Sequence, residues 1–198
     1  MTGTLDRSRR TLEQTIVITA GITPDQLSLP TPCAGWDLRQ LLGHMMGQHN
    51  GFAAAARGET SDRSVWADQP PGGDPAGEYA AATTAVIEAF SADGVLGRRM
   101  WLPEIRDGGL FPAELAIGFF HFIDYVVHGW DVARAIGVEP GFDPDLVHDA
   151  LGQAARVPGG DARLAPGAAF RPGVAVPADA PELDQVVAML GRSPSWPA

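Results

Sequence analysis

The chain of 198 residues contains no lysine and one cysteine, Cys33. A single cysteine excludes an intrachain disulfide and any structural zinc site built on several thiolates. All 14 basic residues are arginine, against 24 acidic ones, which leaves a net charge of −10 and an isoelectric point near 4.8. That balance argues against a nucleic-acid partner, because phosphate backbones need a basic patch. The missing lysine, with abundant Ala, Gly, Pro and Asp, reads as a coding bias. No run approaches the roughly 20 apolar residues that span a bilayer, so no membrane partner is expected. Ser8-Arg9-Arg10-Thr11 superficially resembles a twin-arginine export signal, yet Glu13 and Gln14 follow it and no long apolar stretch does. A first amphipathic helix accounts for it better, and a cytoplasmic protein is expected. Phosphate-binding glycine loops, G-x-G-x-x-G turns and G-x-S-x-G elbows are missing as well.

What is present is helical periodicity in a chain 45% hydrophobic, enough to bury a core. Leu5, Leu12, Ile16 and Ala20 predict a first helix ending near Gly21. Asp37 is a candidate N-cap for a second, with Leu38, Leu41, Leu42, Met45, His49, Phe52, Ala53 and Ala56 on one stripe, ending near Gly58. A Pro- and Gly-rich loop over Gln69–Gly77 leads to a third helix over Pro75–Ala92, packing through Ala81, Ala85, Ile87 and Phe90. Arg98–Pro112 reads as an irregular crossover without strands. A fourth helix follows from Pro112 to Ile136, closed by Gly137, and a fifth opens at Asp143-Pro144 and runs to about Val157. The expected fold class is all-α: a four-helix bundle over residues 1–158, with a C-terminal extension over 159–198 packed on it and carrying one short helix near Pro181–Leu190.

The fourth helix carries the chemistry. His121, Asp124, His128 and Asp131 fall at i, i+3, i+7 and i+10, a thin polar line through an otherwise apolar segment. Burying bare imidazole and carboxylate is costly without partners, and Asp124 and His128 stand one turn apart, at metal-ligand spacing. His44 lies at the edge of the second helix's stripe, looking obliquely into the core, so His44, Asp124 and His128 can share one divalent metal. Two imidazoles and one carboxylate leave coordination positions open, the pattern of a catalytic rather than a closed structural site. Zinc suits the donors best; nickel, cobalt, manganese and Fe(II) fit as well. Asp131 can orient an imidazole or pair with Arg134. His121 and Gln48 are expected on the pocket wall, and Trp36 and Trp130 as core aromatics near it. The bland alternative is a solvated helix face, but solvated faces elsewhere use Arg, Glu and Gln. His49 reads as core, His148 as surface, and Cys33 as a small buried hydrophobe.

Two segments resemble a known family. Thr31-Pro32-Cys33-Ala34-Gly35-Trp36 through Leu41-Leu42-Gly43-His44, and the D-x-x-x-H-G-W-D-x-A run from Asp124 to Ala133, are similar to the actinobacterial DinB-like metal-binding superfamily. More narrowly they resemble the N-terminal domain of mycothiol-dependent maleylpyruvate isomerase, and the tail from Val174 to Pro194 resembles that family's ending. The resemblance implies a DinB-like helical bundle with a divalent metal on His44, Asp124 and His128. It further implies a thiol-dependent transferase or isomerase acting on a small-molecule electrophile, with mycothiol or a related small thiol as co-substrate. Two features differ: the acidic ligand is Asp where the isomerase has Glu, and fewer than about fifty residues follow the fifth helix in this sequence, where the isomerase carries a further domain that helps bind its diacid substrate. Maleylpyruvate itself is therefore not the expected substrate. A metal-dependent hydrolase, a non-catalytic metabolite binder and an Fe(II) oxygenase are the rivals, and a homodimer is compatible with all of them.

Overall fold

The computed structural model describes residues 3–33, 35–165 and 168–197. The chain is helical, as the periodicity predicts. Four long helices form the core: α1 (Thr4–Thr19), α2 (Leu38–Arg57), α3 (Pro75–Phe90) and α4. Helix α4 opens with a turn at Ala113–Leu115, passes through a π-helical segment at Ala116–His121, and continues as α-helix over Phe122–Ile136. Each packs on two others, in the cyclic order α1, α3, α2, α4. Helix α5 (Pro144–Ala154) and α6 (Glu182–Met189) lie against the outer face of α4. There Val126, Val127, Leu146, Ala150, Val186 and Leu190 make a second apolar cluster.

Local chemistry sets the ends. Asp37 caps α2 through a reciprocal box, accepting from the Gln40 amide at 2.9 Å while the Gln40 side chain accepts from the Asp37 amide at 3.0 Å. Gly58 ends α2 at φ +98° and Gly137 ends α4 at φ +75°, left-handed positions that favour glycine. Asp143 precedes Pro144 at the start of α5 without capping it; its carboxylate instead binds Arg10 at 2.6 Å, tying α5 to α1.

The buried faces of α1 and α3 differ from the apolar stripes. Helix α1 buries Thr11, Leu12, Thr15, Ile18 and Thr19, while Ala20 is exposed. The reason is that each threonine hydroxyl satisfies itself on its own helix, Thr11 on the Arg7 carbonyl (3.0 Å), Thr15 on Leu12 (2.8 Å) and Thr19 on Ile16 (3.1 Å). A hydroxyl so paired can enter a core at little cost. Helix α3 likewise buries Tyr79, Thr83, Val86 and Phe90, with Ala81 outside.

The segment expected as an irregular crossover contains a short antiparallel hairpin, β1 (Arg99–Trp101) and β2 (Leu110–Pro112), with Met100 opposite Phe111. Strands of three residues are too short for an alternating pattern to register. The π segment in α4 was equally invisible to a count of 100° per residue. Its Gly118 carbonyl accepts from two side chains, Arg7 (3.0 Å) and Gln153 (2.8 Å), and a Cβ there would meet Thr4 at 2.8 Å. The α1–α4 approach thus requires that glycine.

At the centre of the core lie His49 and His121, both stacked on Tyr125, with ring centroids 4.1 and 4.3 Å from its ring. Among the described residues neither His121 nitrogen has a hydrogen-bond partner, and His49 has one, Thr83, at 3.1 Å. Burial pushes His121 down to about 3 and His49 well below its usual value, so both stay neutral when folded. The unfolded chain takes up these protons below about pH 6.5 while the folded chain does not. Stability therefore falls as pH drops below about 6.5, by up to about 1.4 kcal/mol per pH unit for each histidine that stays neutral, the His121 share continuing toward about 3. His121→Leu should raise the urea midpoint at pH 7 and flatten its fall toward pH 5; a midpoint as acid-sensitive as the parent's would contradict this account.

Candidate functional site

Helices α2 and α4 are pinned to each other where Tyr125 of α4 donates its hydroxyl to the Met45 carbonyl of α2, both residues buried. The contact aligns their neighbours in sequence. His44 from α2 meets Asp124 and His128 from α4, and one ligand atom from each lies within 4.8 Å of the others. The His44 and His128 rings stand 5.6 Å apart, and Trp36 tilts over His44 at 4.9 Å.

Each imidazole is held from behind by a carboxylate. His128 Nδ1 lies 3.0 Å from Asp131 Oδ2, while its Nε2 faces Asp124 Oδ1 at 3.5 Å. His44 Nδ1 lies 3.4 Å from Asp68 Oδ1, a long hydrogen bond. A carboxylate on Nδ1 favours the proton there and leaves Nε2 as a lone pair, the form a metal or a proton-accepting role requires. Burial, followed by the neighbouring His128, lowers the His44 pKa, so the ring is neutral at pH 7.

Asp68 owes its position to a row of glycines. Gly43, Gly47 and Gly51 recur one turn apart on α2, and the Trp66–Pro70 segment lies directly upon them. A Cβ at Gly47 would stand 2.5 Å from the Ala67 carbonyl oxygen, and one at Gly51 would enter the Trp66 indole at 2.2 Å. The Gln69 amide donates to the Gly43 carbonyl at 2.8 Å and fixes the strap. Sequence reading assigned Asp68 no role; the glycine spacing is the signal that marks a close partner for this face.

Asp131 is fully buried and holds a second partner from the far end of the chain. Arg192 donates from Nη2 to Oδ2 at 3.0 Å and from Nε to Oδ1 at 3.3 Å. Burial alone would raise the Asp131 pKa; Arg192 and His128 outweigh it and hold the carboxyl below its ordinary value. Arg134, the partner considered from spacing, turns instead to the Trp196 carbonyl at 3.1 Å. Arg192 also reaches the Cys33 sulfur at 3.6 Å. Cys33, His128 and Asp131 form a second close trio. Both Asp131 oxygens are already engaged, so this trio reads as a supporting ion-pair network.

The trio opens into a cavity of about 640 Å³, within the usual range for small-molecule sites. Trp36, Phe52, Trp66, Phe119, Phe120 and Phe170 give its wall an aromatic character. Gln48 lines it too, donating to Glu104 at 2.6 Å. Glu104 and Ile105 come from the loop of the hairpin, Phe170 and Arg171 from the chain beyond α5. His121 faces elsewhere: the π segment breaks the regular angular count, and the ring packs between Phe52, Phe90 and Tyr125 in the core. Trp130 and His49 are buried in the core, and His148 is exposed beside Glu182 at 2.9 Å. Within the Thr31–Trp36 turn Ala34 lies outside the described residues.

Removing one partner of a fully buried ion pair leaves an uncompensated charge, at a cost of about 3–5 kcal/mol. Arg192→Met is expected to lose stability on that scale in urea unfolding, and adding Asp131→Asn to recover part of the loss. An unchanged midpoint in the single variant would mean the pair carries no structural weight.

The sequence profile of the mycothiol maleylpyruvate isomerase N-terminal domain matches residues 9–133, a range that includes His44, Asp68, Asp124, His128 and Asp131. Two relatives are uncharacterized proteins of Mycobacterium tuberculosis, MT0763 of strain CDC 1551 / Oshkosh and Rv0738 of strain ATCC 25618 / H37Rv. Each is 34% identical over 176 residues, covering 88% of this chain and 89% of its own. No solved structure gives a significant match. No helix among the described residues is long and apolar enough to cross a membrane.

Proposed function

Because the chain belongs to the mycothiol maleylpyruvate isomerase N-terminal domain family, we propose that it is a thiol-dependent transferase or isomerase whose cavity holds one divalent metal on His44, Asp124 and His128. The observation that carries this reading is the convergence of two imidazoles and one carboxylate, ligand atoms within 4.8 Å, on a largely apolar cavity. The donor set fits such an ion. Both Nδ1 positions are committed to carboxylates, both Nε2 positions are left for a cation, and three protein ligands leave room for an exogenous one. Nitrogen with one oxygen suits zinc, and also nickel, cobalt, manganese or Fe(II).

When bound, the metal would lower the pKa of a small thiol such as mycothiol, making a thiolate available near neutral pH for attack on a small electrophile. The chain's own residues do the rest. Asp131, clamped by Arg192, holds the His128 ring in one tautomer and one orientation, and Asp68 does the same for His44. The aromatic side chains on the wall lower the local polarity around a bound thiol, which would strengthen electrostatic contacts there. Cys33 is poorly suited to be the nucleophile itself. Burial pushes its thiol up to about 11 in spite of Arg192, which supports a reacting sulfur that comes from a small thiol rather than from Cys33.

Protein purified without chelator is expected to carry close to one divalent ion per chain by elemental analysis, and His44→Ala to lose most of it. Asp68→Asn should weaken retention by about 10- to 100-fold in a chelator competition. Equal metal in the His44 variant would remove that residue from the site. In a thermal-shift screen, small thiols including mycothiol should raise the Tm of metal-loaded protein and leave chelated protein unchanged. Indifference to every thiol in both forms would contradict the thiol reading, and ester turnover without thiol would favour hydrolysis.

A further inference from the structure

The cavity wall says what kind of electrophile it accepts, given the thiol-and-metal reading of its floor. Among the charged side chains that line it, Asp124 and His128 belong to the proposed metal site, and Arg192 is spent on Asp131. Glu104 stands on the hairpin side, held by Gln48. That leaves Arg171, an exposed residue whose side chain makes no hydrogen bond or ion pair among the described residues. It lies close enough to the floor to act electrostatically on the Cys33 thiol.

Arg171 is presented by a fixed backbone. The buried Arg163 gathers the carbonyls of Val157 (3.0 Å), Pro158 (2.8 Å), Met189 and Arg171 (3.4 Å). Gly191, at φ +83°, packs so close to Arg171 that a Cβ there would stand 2.7 Å from its Cβ and carbonyl oxygen. Phe170, next along the chain, adds an aromatic face to the same wall. An exposed arginine on the wall of a cavity lined with aromatic side chains offers one anion site beside one apolar slot.

We propose that the electrophile taken by this cavity has an apolar, ring-sized body and a single carboxylate, and that Arg171 pairs with that carboxylate. A dicarboxylate fits poorly. Its second charge would meet the aromatic wall or the Glu104 carboxylate, with no other free cation among the described residues of the wall and with the open metal positions reserved for the thiolate. The anchor lies beyond residue 133, outside the part of the chain that the family profile matches, so it would be a property of this chain's extension rather than of its metal-binding core.

Non-reactive probes test this without requiring turnover. Trp36 and Trp66 line the cavity, so intrinsic fluorescence reads occupancy by 3-phenylpropionate, its neutral amide and succinate. A charge-assisted contact of this kind supports roughly tenfold discrimination. The acid should bind about tenfold tighter than 3-phenylpropionamide and more tightly than succinate. Arg171→Gln should erase the preference for acid over amide while leaving amide affinity unchanged. Repeating the titrations on chelated protein separates this proposal from the metal reading, because the acid preference should survive metal removal. Equal binding of acid and amide, succinate binding as tightly as 3-phenylpropionate, a preference that survives Arg171→Gln, or a preference that disappears with the metal would each overturn the assignment.

Discussion

The register between α2 and α4 is the constraint on which the site depends. Ligands from two helices can meet only if those helices neither slide nor rotate, since one turn of slip moves a side chain by about 5.4 Å. The Tyr125 hydroxyl on the Met45 carbonyl sets that register inside a dry core, where an unpaired hydroxyl would cost about 1–3 kcal/mol. The ring of the same tyrosine is flanked by His49 and His121, which fill the layer below the site without joining it.

From that fixed point the architecture works outward in shells. Each imidazole carries a carboxylate on its outer nitrogen, and each carboxylate arrives from a different kind of element. Asp131 comes from α4 itself and is locked by Arg192 from the C-terminal end. Asp68 comes from an irregular strap that touches α2 only because three glycines leave room for it. The C-terminal segment therefore has two duties. It neutralises the one carboxylate buried completely beside the site, and it closes the cavity with Phe170 and Arg171.

Much of this was legible in the sequence, for reasons specific to particular residues. The stripe of α2 from Leu38 to Ala56, the Asp37 cap and the Gly137 stop are local signals, and local signals survive in one dimension. The convergence of His44 with Asp124 and His128 was legible because two regular helices carry them and the core side of each was plain. The α1 face was misjudged because apolarity was taken as the mark of burial, while self-paired threonines bury as readily. His121 was placed on the wrong layer because a π segment cannot be seen in residue spacing. Arg192 and Asp131 are 61 positions apart, and nothing local announces such a pair. Asp68, Glu104 and Arg171 sit on loops, where position is dictated by tertiary contacts alone.

The central claim is that His44, Asp124 and His128 hold a common cation and leave space on it. X-ray absorption at the edge of whatever metal the purified protein carries, in the absence of added thiol, tests it most directly. The account predicts a first shell of nitrogen and oxygen that includes two imidazoles and at least one exchangeable oxygen. A shell containing sulfur from Cys33, or one of oxygen alone without imidazole scattering, would contradict it.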